Sequence, residues 1–122
     1  MYWTTGQIAP VNQNTMQDML LGIFVTVILA PLTEDTIFRG YVYQALAQRM
    51  NKWAAIAWSS LIFALLHIQF FGPGMAIWIL FFGTASAWLY SRFNSIYPSL
   101  LFHALNNLWA YIILPMIFTN NF

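Results

Sequence analysis

Apolar residues run along this chain in stretches about as long as a membrane is thick, separated by short polar breaks. No sustained apolar–polar alternation marks a strand. The first run opens at Met19-Leu20-Leu21 and continues past Thr33 to Met50, which predicts one helix over about 19–50. Pro31 removes a backbone donor and presses on the carbonyl of Val27, so a kink is expected there. A second helix is predicted over about 53–69, followed by a Gly72-Pro73-Gly74 turn. A third covers about 75–91. The fourth, about 96–118, has Asn94 or Ser95 to cap it, Pro98 tolerated in its first turn and Pro115 to bend its end. Residues 1–17 read as an irregular lead-in. The organisation is therefore a lead-in over 1–18 and one helical core over 19–118, with no internal repeat.

Composition names the solvent. Of 122 residues, 61% are hydrophobic and 6% charged, against about 25% charged in soluble domains. Such a chain cannot make a soluble surface, and the expected fold is an all-α polytopic membrane bundle of about four transmembrane helices in a lipid bilayer. A net charge of +1 gives no reason to expect a nucleic-acid partner. The absence of cysteine excludes disulfides and thiolate metal sites. Met1–Gln17 lacks a basic stretch before an apolar core, so no cleavable signal peptide is expected.

The few charges also orient the chain. Arg49 and Lys52 lie between the first two helices and Arg92 between the last two, whereas the loop 69–74 has none. The positive-inside rule places both basic loops in the cytoplasm and both termini outside, with Trp53, Tyr90 and Tyr97 as interface anchors. Gly83, Ala85, Ser86 and Ala87 are small enough to let helices pack closely, including those of a second copy in a homo-oligomer.

Five ionisable residues sit inside the apolar runs: Glu34, Asp35, Arg39, His67 and His103. Intramembrane ionisable groups are costly and mark functional sites by default. Asp35 and Arg39 are spaced i, i+4 and can pair along the helix, whereas Glu34 points about 100° away from Asp35 and has no local cation. A lone carboxylate in an apolar wall suits a general base that later acts as an acid. The bland alternative is one buried ion cluster of all three. His67 ends the string Phe63-Ala64-Leu65-Leu66-His67, and alone reads equally well as an interfacial residue. At 1.5 Å per residue, Glu34 lies about 21 Å from Gln48 and His67 about 21 Å from Trp53, so the two can share one depth. His103 and Asn107, also spaced i, i+4, offer two donors on one face that could meet a developing oxyanion, or could bond across helices as glue. Asn106 faces elsewhere and is read as structural. Glu34, His67 and His103 also have the ligand types of a two-His, one-carboxylate site for a divalent metal, and the two histidines could in principle bracket a haem.

Taken together, Glu34-Asp35-x-x-x-Arg39, Phe63-x-x-x-His67 and His103-x-x-x-Asn107 resemble the three ordered motifs of the CAAX-protease and bacteriocin-processing (Abi) family of intramembrane proteases. The flanks Ala30-Pro31-Leu32, Phe38-Arg39-Gly40 and Tyr97-Pro98-Ser99-Leu100-Leu101-Phe102 are similar too. Asp35 replaces the family's second glutamate. The resemblance implies hydrolysis of a peptide bond in a membrane-associated peptide or protein, in a bacterial plasma membrane. It implies that Glu34 and His67 activate water, His103 and Asn107 hold the oxyanion, and Arg39, with Asp35 and Phe63, supports them. A glutamate-activated water without metal or other cofactor is the preferred reading. The competing expectation is a noncatalytic member acting in bacteriocin self-immunity or as a scaffold.

Overall fold

The computed structural model describes residues 15–113, which form four helices and, among the described residues, no strand. Helix α1 (Met16–Ala47) is one long rod that changes pitch along its length. It is followed by α2 (Lys52–Phe71), α3 (Ala76–Phe93) and α4 (Ile96–Leu108), the last extended by a π-helical turn at Trp109–Ile113. The first two, and α3 with its lead-in turn, are each long and apolar enough to cross a membrane. The described residues thus form a helical membrane bundle, as composition required.

Local chemistry sets the boundaries. Thr15 caps α1 by accepting from the Asp18 amide at 3.1 Å, so the helix starts three residues before the apolar run does. It ends early because Asn51 turns the chain and caps α2, its side chain accepting from the Ala54 amide at 2.9 Å. Gly72, at φ 80°, makes the break after α2, and Pro73–Met75 form a 3-10 turn into α3. Asn94 ends α3 in the left-handed region at φ 47°, and Ser95 rather than Asn94 caps α4. Pro98 sits in the first turn of α4 as expected. The lead-in before Thr15 and the expected bend at Pro115 lie outside the described residues.

Around Pro31 the helix changes its hydrogen-bond pitch. Two π-helical stretches, Phe24–Leu29 and Phe38–Tyr43, bracket an α-helical segment, Ala30–Ile37, that carries Glu34 and Asp35. The wider turn shifts the hydrogen-bond register ahead of the proline, so that Ala30 N–H bonds five residues back to the Val25 carbonyl.

Small polar residues are buried beside aromatic and aliphatic ones, and many large apolar residues face outward. Ser59, Ser60, Ser86 and Ser99 are buried, while Leu20, Phe24, Trp58, Ile77 and Phe81 are exposed. That distribution suits lipid as the surrounding solvent. Two clusters fill the core. Phe38, Phe63, Ala64, Ile79 and Phe82 lie at the level of the intramembrane charges. Tyr43, Ala55, Ile56, Ala87 and Tyr90 lie at the end bearing both basic loops, where Gln44 also bonds the Tyr90 hydroxyl. Gly83, Ser86 and Ala87 are buried by the chain's own helices, so these small residues serve packing within the chain.

Gly22 of α1 lies directly beneath the Tyr111 hydroxyl. A Cβ at this position would collide with the ring, so Gly22→Val should separate α1 from the end of α4 and cost about 1–3 kcal/mol, as overpacking typically does. Thermal unfolding of the purified protein checks this, and adding Tyr111→Ala should recover most of the loss.

Candidate active site

Three helices bring five ionisable side chains to one place. Asp35 is fully buried, and its Oδ1 lies 3.2 Å from Arg39 Nη1, the i, i+4 pair expected along α1. Arg39 also donates from Nη2 to the Gly83 carbonyl of α3 at 3.3 Å. Its guanidinium lies over the Phe63 ring, 4.7 Å from the centroid. The same Phe63 ring stacks on His67 at 4.0 Å. Phe63 is therefore wedged between the structural charge and the imidazole four residues on.

Glu34 occupies a different environment. Its side chain is 32% exposed, and Oε2 lies 3.5 Å from His67 Nε2 and 3.3 Å from His103 Nε2. The depth estimate from helix rise therefore holds for Glu34 and His67, and α4 joins at the same level. One feature departs from the helical-wheel expectation. Glu34 and Asp35 diverge along α1, yet His103 touches both, with Nδ1 3.3 Å from Asp35 Oδ1 and Nε2 facing Glu34. The two nitrogens of one ring span the angular gap that separates adjacent helical residues.

Hydrogen bonding restricts where the protons are. His67 Nδ1 lies 2.7 Å from the Phe63 carbonyl, which can only accept, so Nδ1 carries the hydrogen. Nε2 of a neutral His67 then presents a lone pair to Glu34. The two can bond only through a shared proton, on the carboxyl or on the imidazole. His103 is constrained in the same sense, because its Nδ1 faces the Arg39-paired Asp35 carboxylate. Glu34 thus sits at a junction of two imidazoles that can pass it a proton or take one from it.

These groups face a cavity of about 180 Å³, room for several waters. Glu34, His67, His103, Asn106 and Asn107 supply its polar wall, and Phe71, Trp78 and Phe82 are among its apolar lining. Asn106, read from spacing as structural, therefore belongs to the site wall; the cavity is wider than the arc a single helix face covers. The oxyanion pairing expected of His103 and Asn107 is not the arrangement seen. Both His103 nitrogens face carboxylates, and Asn107 Nδ2 donates to the Thr26 carbonyl at 2.9 Å. That leaves each Asn107 and Asn106 amide with further donor capacity on the cavity side.

As for metal, among the described residues no three His, Asp or Glu side chains converge in an arrangement that holds an ion. Glu34 Oε2 instead lies within ion-pair distance of both imidazole rings. The carbonyls of Gly83 and Thr26 escape sequence reading altogether, because backbone acceptors carry no residue signature.

A family model described as type II CAAX prenyl endopeptidase Rce1-like matches residues 16–109. The UPF0177 protein YxdF of Lactococcus lactis subsp. lactis is 34% identical over 94 residues, covering 77% of this chain and 48% of that protein. The chain spans about half the length of this curated relative. No solved structure matches.

Arg39 is 2% exposed and its compensating carboxylate 0%. Arg39→Met should therefore strand Asp35 and destabilise by roughly 3–5 kcal/mol, the usual cost of breaking a buried pair from one side. Adding Asp35→Leu should restore much of that loss in unfolding experiments, because no buried charge then remains unpaired.

Proposed function

The chain belongs to the Rce1-like family of type II CAAX prenyl endopeptidases, and from that premise we propose that it is an intramembrane endopeptidase. Its substrate is a membrane-associated peptide or protein, cleaved in a bacterial plasma membrane with the basic loops on the cytoplasmic side. The observation that carries the reading is the Glu34 carboxylate, shared by two imidazoles and open to a cavity among membrane-length helices.

In this reading a water in the cavity gives a proton to Glu34 as its oxygen attacks the scissile carbonyl carbon. His67 and His103 stabilise the protonated and ionised forms of Glu34 in turn. The proton then passes from Glu34 to the leaving amine as the carbon–nitrogen bond breaks. Oxyanion donors come from the cavity-facing amides of Asn107 and Asn106. Asp35 and Arg39 do not touch substrate; they hold His103 and the α1 backbone in place. Phe71, Trp78 and Phe82 offer an apolar bed for the substrate segment.

The test compares membrane and secreted peptides from cells expressing the wild type, Glu34→Ala and His67→Ala at matched membrane levels. A cleavage product reduced about 10²–10⁴-fold in both variants is expected, the usual range for losing general acid–base catalysis. Identical peptide profiles, with any immunity phenotype retained, would instead establish a noncatalytic member of the family.

A further inference from the structure

Asn107 is tied to a carbonyl that the α1 backbone cannot satisfy. In an α-helix the Thr26 carbonyl would accept from the residue-30 amide, but here Ala30 N–H bonds to Val25 O, five residues back. Continuing that wider register, the donor for Thr26 O would be the amide of residue 31, and residue 31 is proline. Thr26 O is thus left without its main-chain donor in either register. In a bundle surrounded by lipid, such a carbonyl has little water to turn to. Asn107 Nδ2 of α4 supplies the missing donor at 2.9 Å. The amide's orientation is set from its other side, where Asn106 Nδ2 donates to Asn107 Oδ1 at 3.4 Å.

We propose that Asn107 is a positioning residue that locks the π turn preceding Pro31 in α1, and that this lock fixes the angular register at which Glu34 meets His67 and His103. A π turn inserts extra backbone per turn, so its presence or absence rotates every following side chain relative to those before it. Glu34 follows Pro31 by three residues, and Phe24–Leu29 is the turn that sets its facing. Gly22 beneath Tyr111 extends the same α1–α4 seam one turn further on each helix, which keeps the two backbones close enough for the Asn107 amide to reach. The effect on peptide cleavage rests on the proteolytic reading; the lock itself does not.

The lock predicts a rescue that a purely oxyanion-binding Asn107 would not show. Pro31→Ala returns an N–H at position 31 that can reach Thr26 O, so it should make Asn107 dispensable for the register. The experiment measures folding stability of the purified wild type, Asn107→Ala, Pro31→Ala and the double variant. It adds the ring-nitrogen signals of isotopically labelled histidine in each. Asn107→Ala is expected to lower the folding equilibrium constant about tenfold, as loss of a partner for an apolar-facing carbonyl does, and to displace the His67 signal, which reports Glu34 from another helix. The double variant should regain most of that tenfold and the wild-type His67 signal. If Asn107→Ala alone does not accumulate in the membrane, accumulation of the double variant is the same result. Independent effects of the two substitutions, with no rescue of stability or of the His67 signal, would overturn the proposal. Neither readout depends on cleavage, so the lock and the proteolytic function can fail separately.

Discussion

Everything in this bundle is arranged around one carboxylate oxygen, Asp35 Oδ1. It meets Arg39 of its own helix and His103 of α4, and Arg39 in turn reaches the Gly83 carbonyl of α3. An unpaired Asp or Arg at this depth would cost several kcal/mol. Together they bind three helices at one level. A paired buried charge adds little net stability over an apolar replacement. Its contribution here is geometric: the imidazole held by Asp35 presents its other nitrogen to Glu34.

The division of labour between two adjacent acids follows from their surroundings. Asp35 is enclosed and paired, which commits it to holding position. Glu34 is partly exposed to the cavity and lies within ion-pair distance of two imidazoles, whose protonation can change. Only the second environment suits a group that must gain and lose a proton. The π-helical stretches on both sides of Ala30–Ile37 let this short segment take a facing that a regular helix of the same sequence would not give it. The constraint of Pro31 and the donor of Asn107 belong to that same adjustment.

Much of this was legible in the chain because of its apolar background. Four helices follow from hydropathy and from Gly72, Pro73 and the polar breaks; Thr15 and Asn51 start or end helices earlier than hydropathy indicates, Gly72 and Asn94 let α2 and α3 run two residues further, and α4 starts at Ile96 as expected. Glu34, Asp35, Arg39, His67 and His103 stood out for the same reason, and the i, i+4 rule paired Asp35 with Arg39. Three features were not legible. The π turns have no periodicity of their own, so Pro31 predicted only a kink. The partner of Asn107 is a backbone oxygen on a distant segment, so spacing alone suggested an oxyanion donor. Asn106 reaches the cavity because three helices, rather than one helix face, define its wall.

One Glu34 carboxylate is shared by both imidazoles. The chain contains only two histidines, so isotopically labelled histidine gives a ring-nitrogen spectrum with two residues in it and little to assign. Magnetic resonance of the protein in lipid, wild type against Glu34→Gln, tests that sharing. The Nε2 signals of both histidines are expected to shift together on the substitution, while the His67 Nδ1 signal, bonded to the Phe63 carbonyl, stays in place. A shift confined to one histidine, or none in either, would contradict it.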